Sequence, residues 1–182
     1  MRVDSTTGLL DAAGYLPSPN RDDRPDGIAV DLIVIHGISL PPGEFGGRWI
    51  DALFTNTLDP AAHPYFQTLA GLRVSAHVLI RRDGELTQYV PFQQRAWHAG
   101  VSEYAGRPRC NDFSIGIELE GADEVPYTDR QYQQLAVIIP ALRYAYPAMT
   151  PERLVGHADI APGRKTDPGP AFDWVRLHRS LG

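Results

Sequence analysis

The feature that most constrains the fold is a continuous apolar run at residues 31–36, DLIVIH, followed at once by Gly37 and by Pro-Pro-Gly at 41–43. An apolar run without polar alternation is typical of a strand that is covered on both faces. Proline and glycine directly after it predict a loop. The run therefore predicts a central, buried strand that ends at His36.

Two other segments also show strand patterns. In residues 113–120, FSIGIELE, apolar positions alternate with small or acidic ones, so Glu118 and Glu120 are predicted to point away from the apolar face. Residues 74–82 and 86–90 flank an Asp-Gly pair, which supplies the positive φ angles of a tight hairpin turn. The sequence therefore predicts a second strand of the sheet and a β-hairpin.

Helical patterns occupy three segments. Thr128 with Gln131 forms a capping box, and apolar residues follow at helical spacing up to residue 146. Pro140 lies inside this pattern and predicts a kink or break near residues 136–140. Shorter helices are predicted at about 48–58 and 172–181.

Length and composition favour one loop-rich domain over residues 1–182. The chain has 17 glycines and 16 prolines, well above average usage, which predicts that working residues lie on shaped loops. Three prolines and a glycine in residues 17–27 predict an irregular N-terminal arm at about 1–28.

Charge and cysteine content exclude several classes of protein. The net charge is −5 without a long basic run, so a nucleic-acid partner is not expected. The sequence lacks an apolar run of membrane-spanning length and an export signal, so a cytoplasmic protein without membrane contact is expected. Cys110 is the only cysteine, which excludes an intramolecular disulfide and a cysteine-rich zinc finger.

Two of the six histidines, His36 and His157, end short apolar runs and precede loops rich in glycine and proline. Asp167 follows ten residues after His157. Two imidazoles and a carboxylate suit zinc, with a fourth position left for water. The spacing alone leaves Asp159 as a competing carboxylate, and a lone histidine is more often a hydrogen-bonded core or surface residue.

Other side chains are candidates for catalysis near such a metal. Glu118, or its neighbour Glu120, is placed to accept a proton from a water molecule that the metal activates. Lys165 offers a positive charge for a developing oxyanion. The competing interpretation of each is an ordinary solvated charge on the surface.

A second group of side chains suits an anionic ligand with an apolar ring face, namely Arg73, Arg107, Arg109 and Trp97. Cys110 allows a rival hypothesis, a Cys-His hydrolase, because Arg107 and Arg109 would lower the pKa of its thiol. The sequence places no histidine near it, so an inert, partly buried thiol is the favoured interpretation.

Five separated blocks, in order, resemble the zinc N-acetylmuramoyl-L-alanine amidases, a family related to peptidoglycan recognition proteins. The resemblance spans roughly residues 15–176 and implies an α+β, or mixed α/β, fold. In this fold a central mixed sheet is flanked by helices, and a zinc ion lies at one end of a groove. The blocks are VIHGISLPPGEFGG (34–47), LRVSAHVLIRRDGELTQYVPF (72–92), RAWHAGVS (95–102), CNDFSIGIELEG (110–121) and GHADIAPGRKTDPG (156–169).

The resemblance also assigns roles to residues of this sequence. It implies one zinc ion held by His36, His157 and Asp167, with Glu118 as the catalytic carboxylate and Lys165 as the catalytic cation. Glu120 then becomes a supporting acid. Cysteine is frequent in related enzymes at the position of Asp167, so the aspartate points to the recycling branch. Asparagine is frequent where this chain has Gly37, which removes one polar contact.

The implied reaction is hydrolysis of the amide between the lactyl group of 1,6-anhydro-N-acetylmuramic acid and L-alanine, in peptidoglycan recycling in the cytoplasm. The substrate is a small muropeptide, contacted by Arg73, Trp97 and Arg109, and the enzyme is expected to be a monomer. Two alternatives stay open. One is a muropeptide-binding module without catalysis, and the other is an amidase that acts on intact murein.

Overall fold

A computed structural model describes all residues, 1–182, and its central element is a six-stranded mixed sheet. The strands in chain order are β1 Gly14–Tyr15, β2 Arg21–Asp23, β3 Leu32–Ile38, β4 Val78–Ile80, β5 Leu86–Gln88, β6 Gln94–Ala96, β7 Glu103–Tyr104, β8 Arg107–Pro108, β9 Ser114–Glu120 and β10 Leu154–Gly156. The α-helices are α1 Trp49–Phe54, α2 Asp129–Ala145, α3 His157–Ile160 and α4 Trp174–Leu181. None of them is long and apolar enough to cross a bilayer.

The order of strands in the sheet is β1-β5-β4-β9-β3-β10, and the predicted central strand β3 lies between β9 and β10. β4, β9, β3 and β10 run parallel, while β4 and β5 form the predicted antiparallel hairpin. His36 on β3 lies directly opposite Glu118 on β9. Parallel strands deliver their carboxyl ends to one edge of the sheet, where ligands bind in open sheets of this kind.

The two faces of the central strands carry different residues because side chains alternate along a strand. Ile33 and Ile35 of β3, with Ile115 and Ile117 of β9, belong to a buried cluster of 20 apolar residues that includes the inner side of α2. The opposite face carries polar groups near the carboxyl edge. The sheet therefore has one packed face and one face that is polar at its end.

The helix α2 begins at the predicted capping box, in which Thr128 Oγ1 accepts from the Gln131 N–H. The predicted break at residues 136–140 is wrong, since the helix continues through Pro140 to Ala145. Leu135, Ile139 and Leu142 are fully buried on both sides of the proline, and this packing outweighs the lost backbone hydrogen bond. The other two helices are shorter than predicted.

The N-terminal arm is more regular than its prolines predicted. β1 pairs with β5 at the edge of the main sheet, and β2 pairs antiparallel with β6. The guanidinium of Arg24 also lies inside the fold and donates to backbone carbonyls of Phe92 and Ser114. These pairings are long-range, so the local composition of residues 17–27 gave no sign of them.

Candidate metal centre and active site

Three potential metal ligands, from three different elements, converge at the carboxyl edge of the sheet. His36 Nδ1 lies 3.0 Å from His157 Nδ1 and 3.3 Å from Asp167 Oδ2, and His157 Nδ1 lies 3.1 Å from the same oxygen. Ligands about 2.0 Å from a tetrahedral zinc ion lie about 3.3 Å from one another. The donor set and its spacing therefore fit zinc.

The loop after α3 brings Asp167 back toward the two histidines. Its main-chain carbonyl accepts from the Ala158 N–H at 3.0 Å, which ties the loop to the start of α3. The phenol of Tyr127 donates to the carbonyl of Pro168 at 2.9 Å. A β-carbon at Gly37 would overlap this phenol, so glycine at that position lets Tyr127 pack directly against β3.

The competing carboxylate, Asp159, has a structural role. Its Oδ2 accepts from the Gly156 N–H at 2.7 Å and so caps the first turn of α3. It does not belong to the group of side chains that could hold a metal ion, which consists of His36, His157 and Asp167. The structure thus distinguishes two carboxylates that the spacing in the sequence left as alternatives.

Burial keeps His36 neutral, and its contacts keep Asp167 charged. Burial lowers the pKa of His36 to about 4, against an opposing effect of Asp167. Burial alone would raise the pKa of Asp167, but its contacts with His157 and His36 hold it below its ordinary value. A neutral imidazole at His36 and a charged carboxylate at Asp167 are the protonation states that metal binding requires of these two groups.

Glu118 lies on β9 beside His36, and its Oε2 atom is buried without a hydrogen-bond partner. Burial and then the negative charge of Asp167 raise the pKa of Glu118 well above its ordinary value, while Lys165 acts in the opposite direction. A carboxylate with a free oxygen and a raised pKa is suited to proton transfer.

A cavity of about 460 Å³ opens at this centre and connects it to a more apolar region. Glu118, Lys165 and Asp167 line one part of it, and Lys165 is the only lysine of the chain. The apolar part includes Leu40, Tyr65, Leu69, Leu72 and Val74. The cavity therefore joins ionisable groups to an apolar wall, as binding sites for amphipathic small molecules do.

The three residues predicted to contact substrate lie outside the lining of this cavity. Arg73 follows Leu72 in the chain, and Trp97 precedes His98, so each is next to a lining residue. Trp97 Nε1 donates to Asp22, and Arg109 pairs with Asp112 at 3.2 Å. Their role in binding stays a prediction.

Glu120 and Cys110 also have defined places. The Glu120 carboxylate accepts from the backbone N–H groups of Gly46 and Arg82, which fits the predicted supporting role. Cys110 is fully buried, and burial raises the pKa of its thiol. The Cys-His hydrolase hypothesis is wrong, because a buried thiol of raised pKa is not a nucleophile.

Two further polar residues at the site were missed from the sequence, although both lie in the matching blocks. His98 Nδ1 lies 2.9 Å from His36 Nε2, and Ser114 Oγ lies 3.1 Å from His98 Nε2. Their places in the matching blocks were the only available signal. No local pattern links it to His36, 62 residues earlier.

A family model described as N-acetylmuramoyl-L-alanine amidase, Amidase_2, matches residues 26–170. The chain belongs to this family, and the predicted mixed sheet with flanking helices is the fold of its solved relatives. The resemblance inferred from the five sequence blocks is thereby confirmed.

Within the family, the chain is highly similar to enzymes of one kind. It is 66% identical over 170 residues to the 1,6-anhydro-N-acetylmuramyl-L-alanine amidase AmpD of Escherichia coli K12, covering 93% of this chain and 92% of the relative. AmpD of Haemophilus influenzae is 53% identical over 178 residues, covering 98% and 97%. A crystal structure of a selenomethionine AmpD derivative matches with a TM-score of 0.96 at 63% identity, covering all of both chains.

Proposed function

We propose that this protein hydrolyses the amide between the lactyl group of 1,6-anhydro-N-acetylmuramic acid and L-alanine, using one zinc ion held by His36, His157 and Asp167. The observation that carries the proposal is the convergence of these three ligand atoms beside the unpartnered Glu118 carboxylate oxygen. High identity to AmpD enzymes along nearly the whole chain supports the substrate class.

When bound, zinc supplies Lewis acidity, which polarises the substrate carbonyl and lowers the pKa of water toward about 7. Glu118 accepts the proton of the attacking water and delivers it to the nitrogen of the leaving L-alanine. Glu118 would be ionised, and so able to accept a proton, once a metal ion on His36, His157 and Asp167 offsets the negative charge of Asp167.

Lys165 stabilises the negative charge that develops on the carbonyl oxygen as the tetrahedral intermediate forms. It lines the same cavity as Glu118 and Asp167. Its loop is held by the backbone, since the Lys165 N–H donates to the Ala161 carbonyl at 3.0 Å. The cation is therefore carried on a segment fixed near the metal centre.

The substrate is a small muropeptide. A related amidase, AmiD of Escherichia coli, was solved with anhydro-N-acetylmuramic acid-L-Ala-D-γ-Glu-L-Lys; it has a TM-score of 0.60 at 32% identity, and the match covers 86% of this chain and 60% of AmiD. The apolar wall of the cavity suits a sugar ring face, and Arg73, Trp97 and Arg109 are proposed to contact the muropeptide.

The decisive experiment incubates the protein with anhydro-muramyl tripeptide, with and without a chelator, and follows free tripeptide by mass spectrometry. We expect release that the chelator abolishes and added zinc restores. Intact murein in a parallel reaction tests the alternative substrate. Binding without release of peptide would favour the muropeptide-binding module, which has no chemical need for Glu118 or Lys165.

Substitution of the ligands tests the metal centre itself. His36→Ala, His157→Ala and Asp167→Ala are each expected to lose zinc, measured by elemental analysis of the purified protein, and with it all detectable turnover. The Asp159→Ala variant is the matched control, because Asp159 caps α3 and is not a ligand. If an Asp167→Ala variant retains a full equivalent of zinc, the proposed ligand set is wrong.

The cytoplasmic location, the monomeric state and the single domain over residues 1–182 remain proposals based on the sequence. Cell fractionation tests the first, and sedimentation of the purified protein tests the second. A single cooperative unfolding transition, seen alike by fluorescence and circular dichroism, tests the third.

A further inference from the structure

The two histidines of the metal centre have their second ring nitrogens held by different kinds of partner. His157 Nε2 lies 3.2 Å from the carbonyl oxygen of Ala99, which only accepts, so Nε2 carries the proton and Nδ1 the lone pair. His36 Nε2 lies 2.9 Å from His98 Nδ1. An imidazole nitrogen can donate or accept, so the tautomer of His36 depends on that of His98.

Ser114 determines the tautomer of His98. Its hydroxyl lies 2.6 Å from the carbonyl oxygen of Cys110, which only accepts, so the single hydroxyl proton is used there. The same Ser114 Oγ lies 3.1 Å from His98 Nε2 and accepts from it. His98 therefore carries its proton on Nε2 and presents the lone pair of Nδ1 to His36.

We propose that His98, oriented by Ser114, is a positioning residue that holds His36 in the Nε2–H tautomer and so keeps the Nδ1 lone pair free for the metal ion. The inference rests on the metal centre proposed above. It adds to that centre a hydrogen-bond chain in which each donor is fixed by the next acceptor: His36 to His98, His98 to Ser114, and Ser114 to the Cys110 carbonyl.

The fold also holds the ring of His98 in place. The backbone N–H groups of His98 and Ala99 both donate to Asn111 Oδ1, at 3.1 and 2.8 Å. A β-carbon at Gly116 would overlap the His98 ring, so the ring lies flat on β9 only because residue 116 is glycine. These two backbone hydrogen bonds and the space left by Gly116 indicate that the fold determines the orientation of the His98 side chain.

Zinc affinity, measured by competition with a chelating dye, is the first test. His98→Leu removes the acceptor for His36 Nε2–H, and we expect zinc to bind about 10–100-fold more weakly. His98→Asn has nearly the same shape as the Leu variant but places an acceptor oxygen close to the position of Nδ1. It is expected to bind zinc about tenfold more tightly than His98→Leu.

Histidine ¹⁵N chemical shifts are the second test, because they distinguish the two neutral tautomers. We expect His98 to be the Nε2–H tautomer in wild-type protein, both metal-free and loaded with zinc. In Ser114→Ala the acceptor is gone, so the spectrum is expected to show a mixture of tautomers and zinc to bind more weakly. Ser18→Ala is the matched control, since Ser18 is also buried and its hydroxyl donates to the Phe54 carbonyl, away from His98.

Two results would overturn the proposal. One is the Nδ1–H tautomer of His98 in the wild-type protein, a measurement that needs no variant to fold. The other is equal zinc affinity in folded His98→Leu and His98→Asn variants. Failure of the metal centre is distinguishable, because a wild-type protein that binds no zinc still reports the tautomer of His98.

Discussion

The two faces of the central sheet have different roles, although residues that are adjacent in the chain carry them. On β9, Ile115 and Ile117 pack toward α2 in the large apolar cluster, while Gly116 and Glu118 face His98 and the cavity. Apolar packing is non-directional, so residues of similar volume can replace one another. On the polar face, hydrogen bonds join particular pairs of atoms, such as those of His36 and His98. Glu118 Oε2, by contrast, has no hydrogen-bond partner.

This difference predicts a separation of effects. Substitutions of Glu118 and Lys165, the two proposed catalytic side chains on the polar face, should lower turnover and leave the free energy of unfolding nearly unchanged. Substitutions on the apolar face should lower the free energy of unfolding and leave turnover nearly unchanged. Active-site residues often contribute little to stability, because they are arranged for catalysis rather than to pack against or hydrogen-bond to one another.

The largest effect is expected for Glu118→Gln, which keeps the size of the side chain but removes its capacity to accept a proton. We expect turnover to fall by about 10²–10⁴-fold. Zinc content and the midpoint of urea unfolding should stay at the wild-type level. The matched control is Glu124→Gln, an exposed carboxylate on the following loop. Loss of zinc in Glu118→Gln would place Glu118 in the ligand set and contradict the assignment.

Lys165→Met is expected to lower turnover by about 10²–10³-fold, because it removes one stabiliser of the oxyanion. Zinc content should not change, since Lys165 is not a ligand. Arg179→Met, which removes an exposed cation from α4, serves as the control. Turnover of Lys165→Met near the wild-type level would show that the metal ion alone stabilises the transition state.

A buried histidine next to His98 makes the polar side of the sheet sensitive to acid. His77 is fully buried. Its Nδ1 accepts from the Gly116 N–H, and its Nε2 lies 3.1 Å from the carbonyl oxygen of Gln94. Burial, followed by the charge of Arg24, lowers the pKa of His77 well below 6.5. Below pH 6.5 the unfolded chain therefore binds a proton that the folded chain does not.

Acid therefore lowers the free energy of unfolding, because stability rises with pH wherever the unfolded state binds more protons. Acidification from pH 6 to pH 5 should lower the free energy of unfolding by up to about 1.2 kcal/mol for His77, because the unfolded histidine is already partly protonated at pH 6. The measurement is urea unfolding in the presence of a chelator at pH 7, 6 and 5. His77→Gln should show a pH dependence that is smaller by about one proton. Equal pH dependence in both proteins would mean that His77 titrates normally in the fold.

Local sequence patterns predicted the strands that carry the site. The apolar run before His36 and the alternation around Glu118 depend only on neighbouring residues, so β3, β9 and the side-chain directions of β9 could be derived directly, although β3 continues to Ile38, beyond its predicted end at His36. The ligand set could not be derived in this way. Spacing left Asp159 and Asp167 as alternatives, and only the resemblance to the family, and then the cap that Asp159 forms, separated them.

The remaining features depend on contacts between distant segments. Two examples are the pairing of β2 with β6 and the contact between His36 and His98, each of which joins residues more than 60 positions apart. The periodicity of the sequence does not indicate such contacts. The continuity of α2 through Pro140 is similar, because packing against the sheet, rather than local propensity, decides it. Sequence patterns thus predicted the elements of this fold better than the contacts between them.

The smallest effect is expected for Ile117→Val, directly beside Glu118 in the chain but on the opposite face of β9. Removal of one buried methyl group should lower the free energy of unfolding by about 1 kcal/mol. Turnover should stay within about twofold of wild type, since the change leaves the polar face and its hydrogen bonds intact. Urea unfolding and turnover, measured on the same preparation, give both values. If turnover fell tenfold with zinc content unchanged, the position of Glu118 would depend on the packing behind it, and the two faces could not be treated as independent.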